Sequence, residues 1–365
     1  MSELASESSA QRGPLRVVVV GAGMMGQAWL RAVAGSSDVE LAGLADLDLD
    51  AARAAAPDTE VGTDAVELAA RTGAEAVIDV TTPVAHHPVT TAALFAGLPV
   101  LGEKPVAATL AEALSLAAAS EVTGRLFMVS QSRRWNPQVF ALRAAIAELG
   151  TVGTLTTQFF KAPRFEGFRS TMAHPLLVDM AIHAFDTARF LLGADPVAVY
   201  CETSNPPWSW YAGDAAANAV FTMAGGAGYA YSGSWCAPGD ETSWNGEWRV
   251  SAEKGSAVWD GEQPPQSGGA PVEVSPGESG IEAALTAFVD AVRTGSRPSG
   301  EVHENVMSLA MVEAAVRSAH TGARVLVDDV LADAHAAALA AEQRADVRSA
   351  LAAWPSPREV LGFGG

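Results

Sequence analysis

The sequence predicts an α/β fold in two parts: a doubly wound parallel sheet, followed by an α+β domain with a large, open and mostly antiparallel sheet. Near-continuous apolar runs alternate with helical patterns from Leu15 onward, which suits strands that are covered on both faces. The stretch from Val197 to Trp259 is rich in Gly, Trp and β-branched residues, as antiparallel strands are. The length of 365 residues allows each part its own core.

The N-terminal elements follow from apolar runs bounded by turn residues. A helix is expected over Val84–Gly97, because Gly97 and Pro99 stop it. A second helix is expected from Thr109, since Glu112 three residues later forms a capping-box pattern. The strand candidates are Leu15–Val20, Val39–Asp46, Ala76–Thr81, Val100–Glu103 and Leu126–Ser130.

After Trp135 the pattern changes to the mixed elements of a second domain. The expected elements are a helix over Pro137–Leu149, a strand over Thr151–Phe159, helices over Leu176–Leu192 and Glu301–Thr321, and an Ala-rich helical tail over Asp328–Ala353. We therefore predict a disordered tail at 1–13, a first domain at 14–134, a second domain at 135–327 and a helical tail at 328–365.

Composition excludes several classes of protein. The net charge of −19 argues against a nucleic-acid partner, which needs a basic surface. The sequence contains no run of about 18 apolar residues, so no membrane span is predicted. The acidic N-terminus does not resemble a signal peptide, and a cytoplasmic protein is therefore expected. Cys201 and Cys236 show no metal spacing and are expected to be buried, reduced thiols. A small anionic substrate would need local positive charge, for which the candidates are Arg133, Arg134, Lys161, Arg164 and Arg169.

A glycine-rich turn, Gly21 to Gly26, follows the first predicted strand and opens into a helix. Gly21, Gly23 and Gly26 have the spacing that allows a tight turn, a close approach of the backbone to a pyrophosphate and close helix–strand packing. A plain turn is the alternative. Asp46, at the end of the next strand, can accept hydrogen bonds from ribose hydroxyls and would repel a 2′-phosphate, so NAD is expected rather than NADP.

Lysine, acid and histidine side chains are candidates for proton handling. Lys104 lies at the carboxyl end of a predicted parallel strand, where doubly wound sheets bind ligands, although a solvated surface lysine is the alternative. Asp179, His183 and Asp186 share one face of a predicted helix. A core histidine bonded to Asp179 is the first alternative. A metal site including His174 is the second, but it lacks a third strong ligand, so no metal is expected.

These motifs, in this order, resemble the Gfo/Idh/MocA oxidoreductases, the family of glucose–fructose oxidoreductase and inositol 2-dehydrogenase. The resemblance extends over nearly the whole chain, and His87 falls on the family's histidine. The matching segments are Gly21–Gly26, Thr82–His87, Gly102–Pro105, Arg134–Pro137 and Asp179–Asp186.

The resemblance implies a Rossmann domain, an open-sheet domain, a nicotinamide cofactor, and Lys104, Asp179 and His183 as catalytic residues at the reacting carbon. Substrate contacts are expected at Lys104, Trp135, His174, Asp179 and His183. Cofactor contacts are expected at Gly21, Gly23, Met24, Met25, Gly26, Asp46, Thr81, Thr82, Pro83, His87, Glu103, Lys104 and Arg134.

The expected activity is hydride transfer between NAD(P) and a hydroxyl or carbonyl carbon of a sugar, inositol or related polyol. A redox-neutral glycosidase that retains NAD, and a cofactor-binding sensor without catalysis, remain the alternatives. Met172–Leu177 departs from the glycine-rich stretch common in the family, which leaves the substrate open. The tryptophans of the second domain predict an apolar sheet face and hence a homodimer or homotetramer. The aromatic segments Asn205–Tyr211 and Ser243–Trp248 would either stack on sugar rings or fill sheet and subunit contacts.

Overall fold

The computed structural model describes residues 13–165 and 167–363, which form two compact units. The first unit comprises 13–130 together with Ile281–Val302, and the second comprises 131–280 together with the residues from His303 onward. The predicted tail at 1–13 lies outside the described residues, apart from Gly13. The predicted division at residue 134 differs from this arrangement, because Ile281–Val302 returns to the first unit.

The first unit is built on a six-stranded sheet in the order β3-β2-β1-β4-β5-β6, and all its pairings are parallel. Its central strands are apolar on both faces; Val17, Val18 and Val19 are fully buried. The strand order reverses between β1 and β4, the place where such sheets bind ligands at their carboxyl ends. The strands are β1 Leu15–Val20, β2 Val39–Ala45, β3 Val61–Gly62, β4 Ala76–Asp79, β5 Val100–Glu103 and β6 Phe127–Ser130.

Helices connect these strands. The predicted capping box is confirmed at the start of α5, where the Glu112 N–H donates to Thr109 Oγ1 and the Thr109 N–H donates to Glu112 Oε2. The strands predicted at Leu15–Val20 and Val100–Glu103 are confirmed at both ends, whereas the others differ by one or two residues at one end. The helices are α1 Met24–Gly35, α2 Leu49–Ala55, α3 Ala65–Thr72, α4 Pro83–Phe95 and α5 Leu110–Thr123.

The second unit contains a nine-stranded sheet in the order β14-β13-β12-β11-β7-β10-β9-β8-β15. Only β7 and β10 pair in parallel, so the prediction of a mostly antiparallel sheet is confirmed. The strands are β7 Val152–Phe160, β8 Pro196–Ser204, β9 Ala216–Met223, β10 Gly228–Ser234, β11 Glu247–Ala252, β12 Gly255–Trp259, β13 Gln266–Ser267, β14 Ala270–Pro271 and β15 Val325–Leu326.

One face of this sheet is covered and aromatic, and the other is open. Phe185, from a helix that covers the sheet, meets Phe221 edge-on with ring centroids 4.9 Å apart. The premise of the oligomer prediction was wrong for the sheet itself: Trp208 and Trp244 are exposed but lie outside the strands, whereas Trp235, Trp248 and Trp259 are buried. Strand alternation places them on the inner face, and the outer face is largely polar.

The predicted helix over Leu176–Leu192 is two helices of different type. Leu176–Ala181 is π-helical, and α7 runs from Ile182 to Leu192. The wider π turn changes the angular spacing of its side chains, so Asp179 does not share the regular α-helical face predicted for it. The remaining helices are α6 Pro137–Glu148, α8 Gly280–Thr294, α9 Val302–Thr321, α10 Val327–Ala341, α11 Ala345–Ala353 and α12 Pro357–Val360, with short 3₁₀ turns at Ser132–Trp135, Gly167–Thr171 and Ala224–Gly226.

The Ala-rich C-terminal segment is helical, as predicted, and belongs to the second unit. Val330 and Leu331 of α10 are buried, and the Arg358 guanidinium donates to the Pro196 carbonyl oxygen at 2.9 Å. Within the described ranges, no helix has both the length and the apolar character needed to cross a membrane.

Candidate functional site

The glycine-rich turn joins β1 to α1 at the carboxyl edge of the parallel sheet. Gly21 has a φ of +111°, and a Cβ added there would lie 2.8 Å from the Val80 carbonyl oxygen. A Cβ added at Gly26 would overlap the Gly21 carbonyl oxygen, so both positions require glycine. At Gly23 an added Cβ would meet nothing within 4 Å, which leaves that side of the turn open.

The start of α1 can receive a dinucleotide. Gly23 is the N-cap and provides no side-chain acceptor, and the first turn contains no acidic residue, so the backbone N–H groups at this end are suited to an anion. Asp46 lies beside the turn: the Ala22 N–H donates to its Oδ2 at 2.7 Å, and the Asp48 N–H donates to its Oδ1 at 2.8 Å. Met24 is 65% exposed. The residues present therefore fit an NAD molecule whose pyrophosphate meets α1 and whose ribose meets Asp46.

A second loop of the first unit is held by a buried carboxylate at the end of β4. Thr81 Oγ1 donates to Asp79 Oδ1 at 2.7 Å, and Thr90 Oγ1 donates to Asp79 Oδ2 at 3.0 Å. Burial raises the pKa of Asp79, and the nearby His86 and Thr81 oppose that rise. Thr82 then caps α4, and Pro83 begins it. Thr81, Thr82 and Pro83 thus form a braced turn beside the glycine loop, because Val80 contacts Gly21.

His86, which the sequence reasoning passed over, connects this turn to the lysine motif. Its Nδ1 lies 2.7 Å from the Pro105 carbonyl oxygen and its Nε2 lies 3.1 Å from the Thr81 carbonyl oxygen. Carbonyl oxygens only accept, so the imidazole ring donates where it bonds either of them. His87, the predicted cofactor contact, instead lies 3.1 Å from Ser115 Oγ on α5. Because adjacent residues of a helix point to different faces, a prediction that began α4 at Pro83 would have placed His86 and His87 on different faces.

The Glu103-Lys104-Pro105 motif ends β5. Glu103 is buried, accepts from Trp29 Nε1 at 2.9 Å and from the Lys104 N–H at 3.1 Å, and burial raises its pKa. The Lys104–Pro105 peptide bond is cis. Lys104 is half-buried at the carboxyl end of its strand, where it was predicted. Trp29 is a second residue that the sequence reasoning missed, since its contact with Glu103 joins positions 74 residues apart.

In the second unit, His183 lies in a small cavity between α7 and the covered face of the sheet. The cavity holds about 10 Å³, which is the space of about one water molecule. Its lining includes Arg133, Phe159, His183, Trp244, Asn245 and Trp248. Asp179 is held by Arg169, whose Nε donates to its Oδ2 at 2.6 Å with both side chains partly exposed.

Arg134 has a role different from the predicted cofactor contact. Its side chain is fully buried and donates to both oxygens of Asp186, at 2.9 and 2.6 Å, and to Glu304. These carboxylates raise its pKa further, despite the burial. A guanidinium without exposed surface has no room for a dinucleotide, so the prediction for its side chain is corrected to a positioning role. Asp186, which was predicted to share a helix face with His183, is the buried ion-pair partner of Arg134.

The two remaining substrate-contact predictions fall on residues with protein neighbours. Trp135 ends the 3₁₀ turn, with its ring centroid 6.1 Å from that of Phe140. His174 Nε2 lies 3.0 Å from His320 Nε2, and its Nδ1 lies 3.7 Å from Asp214 Oδ2. Desolvation lowers the pKa of His174, and Asp214 opposes that shift.

No metal site emerges from these groups in the described part of the chain. No three His, Cys, Asp or Glu side chains there are arranged to hold an ion. Cys201 and Cys236 are buried and free, as expected, and burial raises the pKa of the Cys201 thiol to about 12.

The strand order, the glycine turn and the acid that follows β2 define the class of the first unit: it is a dinucleotide-binding Rossmann domain. Residues 15–131 match the oxidoreductase family with an NAD-binding Rossmann fold, and residues 141–258 match the GFO/IDH/MocA C-terminal domain. The chain belongs to the GFO/IDH/MocA family, which confirms the resemblance found in the sequence.

Individual relatives support the same placement. An uncharacterized Sinorhizobium fredii protein, y4oX, is 28% identical over 87% of this chain and 96% of its own length. Inositol 2-dehydrogenase 4 of Saccharopolyspora erythraea is 33% identical over 51% of this chain and 56% of its own length, so that match spans little more than half of the relative. A crystal structure of an Agrobacterium radiobacter oxidoreductase, in complex with NAD+, L-tartaric acid and magnesium, has the same fold, with a TM-score of 0.80 at 20% identity over 87% of this chain and 99% of that one.

Proposed function

We propose that the protein transfers a hydride between NAD and a hydroxyl or carbonyl carbon of a sugar, an inositol or a related polyol. The observation that carries the proposal is His183: a histidine in a small, aromatic-lined cavity, in a chain whose first unit is an NAD-binding Rossmann domain. The similarity to an inositol 2-dehydrogenase supports the substrate class.

The cofactor contacts proposed for this chain follow from the first unit. The N–H groups at the start of α1 would bind the pyrophosphate, with Gly23 leaving room for it. Asp46 would accept hydrogen bonds from the adenosine ribose, since each carboxylate oxygen accepts one backbone N–H and retains a second lone pair. Bound NAD supplies the hydride acceptor or donor.

Proton handling falls to the side chains. Hydride transfer at a carbinol carbon requires that the oxygen lose or gain a proton, and we assign that step to the His183 imidazole. For the Lys104 ammonium of the first unit, the family resemblance supports a role in stabilising negative charge that develops on a substrate oxygen. Asp179, oriented by Arg169, would accept a hydrogen bond from a neighbouring substrate hydroxyl.

A cofactor-absorbance assay tests the activity. Purified protein with NAD+ and a panel of inositols, aldoses and polyols should raise the absorbance of reduced cofactor with at least one substrate. Product formation without net reduction would instead indicate the redox-neutral glycosidase. NAD binding without turnover of sugars, polyols or glycosides would indicate a sensor and contradict the proposal.

A histidine variant separates catalysis from folding. His183→Ala should bind NAD normally and lower turnover by about 10²–10⁴-fold, the share of a positioned acid–base group. His335→Ala is the matched control, because that ring stacks on Trp354 in the C-terminal helices. Unchanged turnover together with a lowered melting temperature for His183→Ala would make it a core residue and remove it from the mechanism.

A further inference from the structure

One partly buried cation of the second unit, Arg133, forms no ion pair with any described residue, and it lines the His183 cavity. Among the arginines and lysines that could serve an anionic substrate, Lys161 pairs with Glu241 at 2.8 Å and Arg169 pairs with Asp179 at 2.6 Å. Arg134 binds Asp186 and Glu304. Arg164 is exposed to solvent and lies 4.0 Å from the centroid of the Trp210 ring. Arg133 is the remaining member of the set.

Arg133 is partly removed from solvent but lacks a carboxylate partner of the kind that Arg134, Lys161 and Arg169 have. Over residues 13–165 and 167–363 it makes no ion pair and no hydrogen bond, and its guanidinium carbon lies 5.9 Å from the centroid of the Trp244 ring. Burial lowers its pKa to about 10, and the only opposing influence is the Tyr231 phenol. A partly buried cation that is neither paired nor hydrogen-bonded loses solvation without compensation, and natural proteins rarely keep one without a use.

The neighbouring residue holds the backbone of Arg133 in place before any ligand arrives. Arg133 belongs to the 3₁₀ turn Ser132–Trp135, and the next residue, Arg134, anchors that turn through its two carboxylates. The guanidinium therefore starts from a fixed backbone position and shares the cavity lining with His183 and Asn245. Such preorganisation reduces the entropy lost on binding.

We infer that Arg133 binds a carboxylate of the substrate, so that the preferred substrate is a sugar acid or a polyhydroxy acid rather than a neutral sugar. This inference rests on the proposed dehydrogenase function. A carboxylate matches the planar fork of one guanidinium and its single charge.

Binding is measured first, because it does not depend on turnover. Thermal shift in the presence of NAD+ compares acids with their neutral counterparts: glucuronate with glucose, galacturonate with galactose, and gluconate with glucitol. At least one acid should stabilise the protein where its neutral counterpart does not, and Arg133→Gln should abolish that shift. If no acid exceeds its neutral counterpart, or if the excess survives in Arg133→Gln, the inference is overturned.

Kinetics with the acid that binds then give the size of the effect. Arg133→Gln should lower kcat/KM for the acid by about 10–100-fold, the value of a charge-assisted hydrogen-bonded pair, while neutral substrates change by less than about threefold. Arg133→Lys should recover part of the loss, because it keeps the charge without the fork. Arg143→Gln is the matched control, an exposed arginine that lies 4.2 Å from the centroid of the Phe190 ring.

Two further outcomes are decisive. An equal loss for acid and neutral substrates, or weaker NAD binding in Arg133→Gln, would assign Arg133 to the cofactor or to packing and overturn the inference. Arg133-dependent binding of an acid without any cofactor reduction would keep the carboxylate site and refute the dehydrogenase proposal instead.

Discussion

Replacing Arg134 by methionine should destabilise the second unit strongly while leaving the cofactor site intact. Methionine keeps most of the apolar stem that packs near Phe190, whose ring centroid lies 5.2 Å from the Arg134 guanidinium carbon. The substitution leaves two carboxylates without their cationic partner: Asp186, with 1% of its side chain exposed, and Glu304, with 12% exposed. Removing one partner of a buried ion pair costs about 3–5 kcal/mol. Asp186 would still accept from Ser308 Oγ at 2.8 Å, so the lower end, about 3 kcal/mol, is expected.

Thermal and urea unfolding at neutral pH provide the assay. A loss of about 3 kcal/mol corresponds to a fall in Tm of about 6–12 °C for a unit of this size. The deficit should shrink as the pH falls, because protonation neutralises the stranded carboxylates in the folded variant. Arg143→Met, which removes a surface arginine from the same Phe190 ring, should shift Tm by no more than about 2 °C. A loss below about 1 kcal/mol for Arg134→Met, or a weakened NAD affinity with normal stability, would refute the positioning role.

Four further predictions concern the first unit and the assembly. Asp46→Ser should narrow the preference for NAD over NADP by about tenfold in paired binding titrations, because it removes the carboxylate expected to meet the ribose; a wild-type preference for NADP would contradict this. Gly26→Ala should abolish NAD binding and lower Tm, since its Cβ would overlap the Gly21 carbonyl oxygen; retained binding would show that the turn adapts. Burial raises the pKa of Glu103, so the folded state holds that proton more tightly than the unfolded chain, and the associated stability is lost as pH rises. As the pH rises above about 4.5, the ordinary pKa of a glutamate, Glu103→Gln should therefore show a flatter decline of unfolding free energy than wild type, and parallel curves would count against the shift. Although the outer face of the large sheet is largely polar, Tyr200 and Val220 are exposed there, and we propose that a homodimer or homotetramer forms through them. Val220→Asp, at a position 57% exposed, should lower the molar mass measured by light scattering, whereas a monomeric wild type would exclude this assembly.

The parts of the fold that depend on local sequence could be predicted from it. The strand Leu15–Val20 is a valine run that cannot be placed elsewhere than inside a sheet, and its ends are marked by Pro14 and Gly21. The capping box at Thr109 is likewise complete within four residues. Because the chemistry of such features lies in neighbouring positions, one sequence contains all that is needed to find them.

The features that were missed depend on distant partners or on small changes of helical pitch. Arg134 reaches Asp186 over 52 positions and Glu304 over 170, so its pairing has no local signal. The π turn at Leu176–Ala181 has the same apolar character as the α-helix that follows it, and six residues are too few to reveal a different period. The inward orientation of the tryptophans was missed because a count of aromatic residues does not include strand register.

The return of Ile281–Val302 to the first unit has a consequence for biosynthesis. Helix α8 buries Leu285, Phe288 and Val289, and the Val129 N–H at the edge strand β6 donates to the Gly300 carbonyl oxygen at 2.8 Å. A ribosome therefore releases the second unit's sheet, apart from β15, before it supplies the segment that completes the first. Domains usually finish folding in the order in which they are translated. Here the domain translated first is completed later, and until then the Val129 N–H of its edge strand lacks its partner, which leaves that strand open to pairing with another chain.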